Sequence, residues 1–295
     1  SGVSLLDANS LWPQQDHPIL PDYLKLVQKD FGASITPVDY KTMADAAVAR
    51  INAWVADKTE QRIKDLLHPG DATPATRLIL INAIYFKGNW AEKFDAAQTA
   101  DAPFTTATGD KKDVPLMRHH MEQAFFADVS SGPVPLQILA LPCQNPKLQF
   151  IVLLPKSPGD LPVLEQNLAA GLDGWLAQLS GPREVNVTLP KFKLDQRYDL
   201  VPPLKALGIA DAFDDRADFS GMDGARDLCI GGVVHQAFVE VNEQGAEAAA
   251  ATGVVMRALA VQVVPDFHAD HPFIFLIRDT TSGAILFIGR LSNPA

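Results

Sequence analysis

Two stretches of this chain that read as strands, 236–241 and 272–277, are separated by roughly thirty residues, longer than the 12–15 that usually marks a loop as functional or disordered. The first half of that connection, from Glu243 to Met256, reads EQGAEAAAATGVVM. As an extended strand it would place Ala246, Ala248, Ala250, Thr252, Val254 and Met256 on one face. Glu247 would fall on the other face with Ala249, Ala251, Gly253 and Val255, so a sheet could bury the first face and leave the charge in water. Four alanines after Glu247 also have high helix propensity, and helix stands as the alternative. The flanking strands favour a segment able to become a strand itself.

The chain has 295 residues, 47% hydrophobic and 20% charged, enough to bury a substantial core. Its formal net charge of -10 argues against nucleic acid as a partner. No apolar run approaches the ~18 residues of a membrane span, and the start SGVSLLDANSLW lacks the charged and apolar regions of a signal peptide. Cys143 and Cys229 lie far apart and read as two separate structural thiols. No cofactor and no metal site is expected.

The periodicity predicts a helix over 42–67, with Thr42 and Asp45 as a capping box, Ile51, Trp54, Val55, Ile63, Leu66 and Leu67 at helical spacing, and His68-Pro69-Gly70 as its stop. The run RLILINAIYF at 77–86 predicts a central strand covered on both faces, in which Asn82 needs a polar partner. LQILALP and LQFIVLLP, separated by CQNPK, predict a hairpin within 136–154. A second amphipathic helix is expected over 161–179, an alternating strand over 184–194, a short helix over 199–207, and a strand pair around Gly283 over 272–291. Strands and helices mix without βαβ regularity, so the expected class is α+β.

Catalytic and ligand-binding patterns are weak. His119 and His120 are adjacent and should point to different sides, as an exposed or loop pair. Asp214, Asp215, Asp218 and Asp223 lack the spacing, central Gly and terminal Glu of a calcium loop and read as a solvated acidic loop. No phosphate-cradling glycine loop and no G-x-S-x-G elbow is present, which leaves an enzyme little to stand on. His235, in the apolar strand leading to the alanine-rich segment, reads as a hydrogen-bonded core group, with Asn82 its partner if the two strands are neighbours. The sequon Asn186-Val187-Thr188 falls in an alternating strand and reads as structural.

Taken together, NAIYFKGNW at 82–90, LPKFKLDQRYDL at 189–200, LGIADAFDDRADFSGM at 207–222, VEVNEQGAEAAAAT at 239–252 and HPFIFLIRDTTSGAILFIGRLSNP at 271–294 resemble the serpins, over almost the whole length. The resemblance implies a single domain over 1–295 with a large mixed sheet, additional sheets, surrounding helices and an exposed reactive-centre loop, the hinge and loop occupying 243–265. It implies a serine protease inhibitor acting as a suicide substrate, and not an enzyme; the alternative is a non-inhibitory serpin used as a carrier, chaperone or storage protein. The implied hinge is Glu243, Gly245, Ala246, Glu247, Ala248, Ala249, Ala250, Ala251 and Thr252.

The family's usual spacing from Gly245 implies attack at Leu259-Ala260, favouring a chymotrypsin-, elastase- or subtilisin-like protease. Arg257-Ala258 is the rival bond and would suit a trypsin-like enzyme. Trp90 and Glu243 map to the top of the insertion path, with Lys191 as an ion partner of Glu243, and Asn82 and His235 to its middle. A monomer is expected. VSLLDANSLW resembles a strand that several helices normally precede, so the family domain is expected to be N-terminally incomplete. The compartment stays open, with an extracellular or periplasmic setting favoured.

Overall fold

A computed structural model of the chain describes residues 3–243 and 263–294. Its strands are β1 (Val3–Pro13), β2 (Ser34–Ile35), β3 (Leu78–Gly88), β4 (Ala100–Thr105), β5 (Lys111–Val129), β6 (Leu136–Pro142) and β7 (Leu148–Pro155), then β8 (Ser180–Pro190), β9 (Phe192–Asp199), β10 (Gly232–Val241), β11 (Asp266–His268), β12 (Phe273–Asp279) and β13 (Ile285–Leu291). The helices are α1 (Pro21–Phe31), α2 (Tyr40–Lys58), α3 (Leu161–Leu176), α4 (Val201–Ala206) and α5 (Ser220–Asp223). This is an α+β architecture.

The chain divides into two compact units. One comprises Leu5–Phe86 and Leu194–Val239. It carries most of a five-stranded sheet ordered β2-β1-β3-β10-β9. Its core gathers Trp12, Tyr40, Ile51, Val55, Ile63, Leu66, Ile79, Ile81, Tyr85 and Phe238. The other unit holds the described residues of Ser1–Ser4, Lys87–Lys193 and Glu240–Ala295. It contains a sheet ordered β11-β8-β5-β6-β7-β12-β13, with β4 paired to β5. Leu136, Ile138, Ile151, Leu153, Ile274 and Leu276 of its central strands pack with Leu161, Leu164 and Trp175 of α3.

Continuous apolar runs and double-sided burial coincide in the second unit. β6 and β7 form the expected hairpin, Leu136↔Pro155 to Pro142↔Gln149, and nearly every residue of both strands is buried. In β3 they do not coincide. Ile79, Ile81, Ala83 and Tyr85 enter the core; on the opposite face Leu78 and Phe86 are buried but Leu80, Asn82 and Ile84 between them are only half-buried, so the expected cover on both faces is complete at the ends of the strand and partial in its middle.

The first long helix differs from the expected one at both ends. Its N-cap is Asp39, whose carboxylate accepts from the Thr42 amide at 3.1 Å, in place of a Thr42–Asp45 box. It stops at Lys58. The Thr59 hydroxyl donates to the Val55 carbonyl at 2.8 Å and accepts from the Ile63 amide at 3.1 Å, and Glu60 and Gln61 turn to φ of 49° and 63°. Ile63, Leu66 and Leu67 are buried from the turn-rich segment that follows, so burial rather than helix explains their spacing.

The single strand expected over 184–194 is two. β8 ends at Pro190, which has no amide hydrogen for a ladder, and β9 begins at Phe192 in the other sheet. α3 ends at Leu176, three residues early, and α4 and the β12–β13 hairpin form as expected. In that hairpin the Asp279 carboxylate accepts from the amides of Thr281 and Ser282, and Gly283 takes a φ of 77°.

Candidate functional site

β3 and β10 run parallel and pair directly through eight consecutive rows, from Gly232↔Ile79 to Val239↔Phe86. Over those rows no strand stands between them. The row His235↔Asn82 lies in the middle of this seam. The Asn82 amide oxygen faces His235 Nδ1 across it, and the Asn82 amide nitrogen donates to the Asn9 side-chain oxygen of β1 at 2.5 Å. Those partners orient the Asn82 amide and place a proton on His235 Nδ1.

On its far side, the His235 ring stacks on Tyr198 of β9, with centroids 6.1 Å apart and planes 20° off parallel. A polar row thus crosses four strands: Asp7 and Asn9, Asn82, His235, Tyr198. Burial pushes the His235 imidazole below its ordinary range, against a smaller opposite effect of its hydrogen bond to Asn82. Burial pushes the Asp7 carboxyl up, with Asn9 opposing. The sequence reached Asn82 and His235 because each is a polar side chain inside an apolar run. It missed Asn9, Asp7 and Tyr198, whose only local signal is the alternation of Asp7 and Asn9 along β1.

At the other end of β10 the chain is fastened as it leaves the strand. Glu243 is 8% exposed, and its carboxylate meets Lys191 Nζ at 3.0 Å. The Glu243 carbonyl accepts from the Phe94 amide at 3.1 Å, and the Trp90 indole donates to the Asn242 carbonyl at 2.8 Å. Trp90 is buried edge-on against Phe94 and Phe150, with centroids 5.9 and 5.4 Å away. Burial alone would raise the Glu243 carboxyl, but a backbone hydrogen bond and Lys191 together hold it below the usual range. Gly245 to Thr252, Arg257, Ala258, Leu259 and Ala260 lie outside the described residues.

The remaining candidates separate. His119 and His120 lie within β5, not in a loop; His120 is exposed and meets Asn186 at 2.9 Å, while burial lowers the half-buried His119 imidazole. The Asn186 amide nitrogen donates to Asp266 of the neighbouring β11 at 2.9 Å, so the exposed sequon residue is engaged across the strand pair. Both cysteines are free, and burial pushes the Cys143 thiol up to about 12. The acidic loop is only partly solvated. Asp214 pairs with Arg216 and Asp218 with Arg226, but Asp223 is buried against His17 at 2.5 Å. Its burial depends on a partner 206 residues away, which no local pattern reveals.

A family model described as Serpin (serine protease inhibitor) matches residues 1–294. The chain belongs to the serpin family. Leukocyte elastase inhibitor from Sus scrofa is 44% identical over 293 residues, spanning 97% of this serpin and 77% of the relative. Serpin B6 from Macaca fascicularis is 40% identical over 293 residues, 98% of this serpin and 77% of the relative. Among solved structures, uncleaved ovalbumin matches with a TM-score of 0.88 and 33% identity over 99% of this serpin and 74% of that chain. Arabidopsis AtSerpin1 in its native stressed conformation matches with a TM-score of 0.86 and 28% identity, over 99% and 76%. Loop insertion into a β-sheet is established behaviour of serpins.

Proposed function

We propose that this serpin inhibits a serine protease of the elastase or chymotrypsin type as a suicide substrate, with Leu259-Ala260 as the attacked bond. The observation that carries the reading is the direct, parallel β3–β10 pairing, with a short-side-chain segment joined to the end of β10. Relatives named leukocyte elastase inhibitor support the target class. The protease serine adds to the Leu259 carbonyl, the Ala260 amine leaves as a new N-terminus, and Leu259 remains as an ester on the enzyme. Before water hydrolyses that ester, the segment from Ala246 onward enters the seam as a strand. At about 3.3 Å per residue, some fourteen residues carry the tethered enzyme tens of ångströms. Its active site is deformed and the ester persists as a kinetic trap.

Entry must part Asn82 from His235 and unfasten Glu243 from Lys191 and Phe94. In this reading those contacts, with Trp90, set how readily the seam opens and perform no chemistry. Short side chains at Ala246, Ala248 and Ala250 let the strand enter without steric or desolvation cost. Incubation with elastase, chymotrypsin, subtilisin and trypsin tests the reading. An adduct that survives denaturing electrophoresis, with a released peptide beginning at Ala260, is expected from the first two. A peptide beginning at Ala258 with a trypsin adduct would move the bond to Arg257, and cleavage by all four without any adduct would refute inhibition.

A further inference from the structure

Three ligand-type side chains converge in the unit that carries the seam. His17 follows β1, Asp223 ends α5, and Asp227 lies in the segment entering β10. The His17 nitrogen and one oxygen of each carboxylate all lie within 4.8 Å of one another. Asp223 is turned fully inward: its side chain has 0% exposure, Oδ1 accepts from the Ala225 amide at 2.8 Å, and Oδ2 meets His17 Nε2 at 2.5 Å. Asp227 is exposed, which leaves the group open to solvent on one side. Two carboxylates this close repel each other, and one imidazole contributes at most a single positive charge against them. A divalent cation between the three removes the imbalance.

We propose that His17, Asp223 and Asp227 form a site for a divalent transition-metal ion of the zinc type. One imidazole nitrogen and two carboxylate oxygens are a zinc donor set, with a fourth position left for water. Donors at about 2.0–2.2 Å from a tetrahedral ion stand roughly 3.4 Å apart, so His17 and Asp223, now 2.5 Å apart, part by somewhat under an ångström to admit the ion, while Asp227, on an exposed segment, moves to complete the set. The surroundings hold the donors in place. The Leu20 amide donates to the Met222 carbonyl at 2.9 Å, and Met222, Leu228 and Leu78 pack together with Ile19 and Tyr23 alongside.

Placement gives the site a consequence. The Gln14 amide donates to the Arg77 carbonyl and the Gly231 amide to the Leu78 carbonyl, so His17 and the segment entering β10 both belong to the end of the seam where β3 and β10 begin. His17 follows β1 and Asp227 precedes β10, so a metal held by both would link the segment that leaves β1 to the segment that enters β10. Such a link would act at the end of the seam where β3 and β10 begin. The ion binds the intact sheet better than an opened one, and therefore stabilises the intact form.

Titration of the intact chain with Co2+, followed by its visible d–d bands, and with Zn2+, followed by thermal unfolding, tests the site without reference to protease inhibition. One saturable equivalent and a Zn2+-dependent rise in Tm are expected. Binding should weaken at least about tenfold in Asp227→Asn and in His17→Gln. Should His17→Gln fail to fold, Asp227→Asn decides, because it alters only an exposed side chain. Absence of saturable binding, or binding in Asp227→Asn as tight as in the parent, overturns the proposal; the second result would assign the ion to other histidines such as His120 or His268.

Discussion

Asn82 ties β3 to both of its neighbours, because the two ends of its side-chain amide serve two different strands. Its oxygen faces His235 of β10 and its nitrogen donates to Asn9 of β1. Asn82→Ala leaves both partners short of a bond in a half-buried place, and a lost hydrogen bond of this kind costs about 1–3 kcal/mol. The variant is expected to unfold at lower urea in its intact form and to lose less once cleaved and inserted; equal losses in both forms would remove Asn82 from the control of opening. His235 adds a pH dependence with a definite sign. Burial holds its native pKa below the unfolded value, so its contribution is fully present above the unfolded pKa of about 6.5 and is lost as pH falls from there through the native pKa. Urea midpoints between pH 8 and pH 5 should fall more steeply in the parent than in His235→Gln, and parallel slopes would contradict this.

At the scale of elements, the structure shows why some strands were legible and others were not. β6, β7 and β12 are buried on both faces, so their apolar runs announce them. The partnership of Asn82 with His235, 153 residues apart, was also readable, because each polar side chain interrupts an otherwise apolar strand and needs a mate. The end of α2 was not readable, since Ile63, Leu66 and Leu67 keep helical spacing while a Thr59-centred turn delivers them to the core. Nor was the buried state of Asp223, which local composition assigns to solvent and His17 removes from it. In the proposed mechanism the segment that would insert is 246–256, whose even-numbered positions carry small or apolar, uncharged side chains on one face of the strand. Ala246→Arg places a charge on that face, where burial costs several kcal/mol. This variant should still be cleaved by the target protease, yet leave little or no covalent adduct on denaturing gels; undiminished adduct would separate the small-residue face from trapping.

For the whole molecule, the decisive quantity is the free energy held by a sheet that could contain one more strand. Eight rows of direct β3–β10 pairing define the boundary that would part in the proposed insertion, and an inserted strand would bond to both edges it creates. At about 0.5–1.5 kcal/mol net per backbone hydrogen bond, some fourteen inserted residues contribute on the order of 10 kcal/mol, before any apolar burial. In a domain of this size each kcal/mol moves Tm by about 2–4 °C. Thermal unfolding of the intact chain beside the same chain nicked once within 257–260 measures that reserve directly. The nicked form is expected to melt roughly 20 °C or more above the intact one; a nicked form that melts at or below the intact temperature would contradict insertion into the seam.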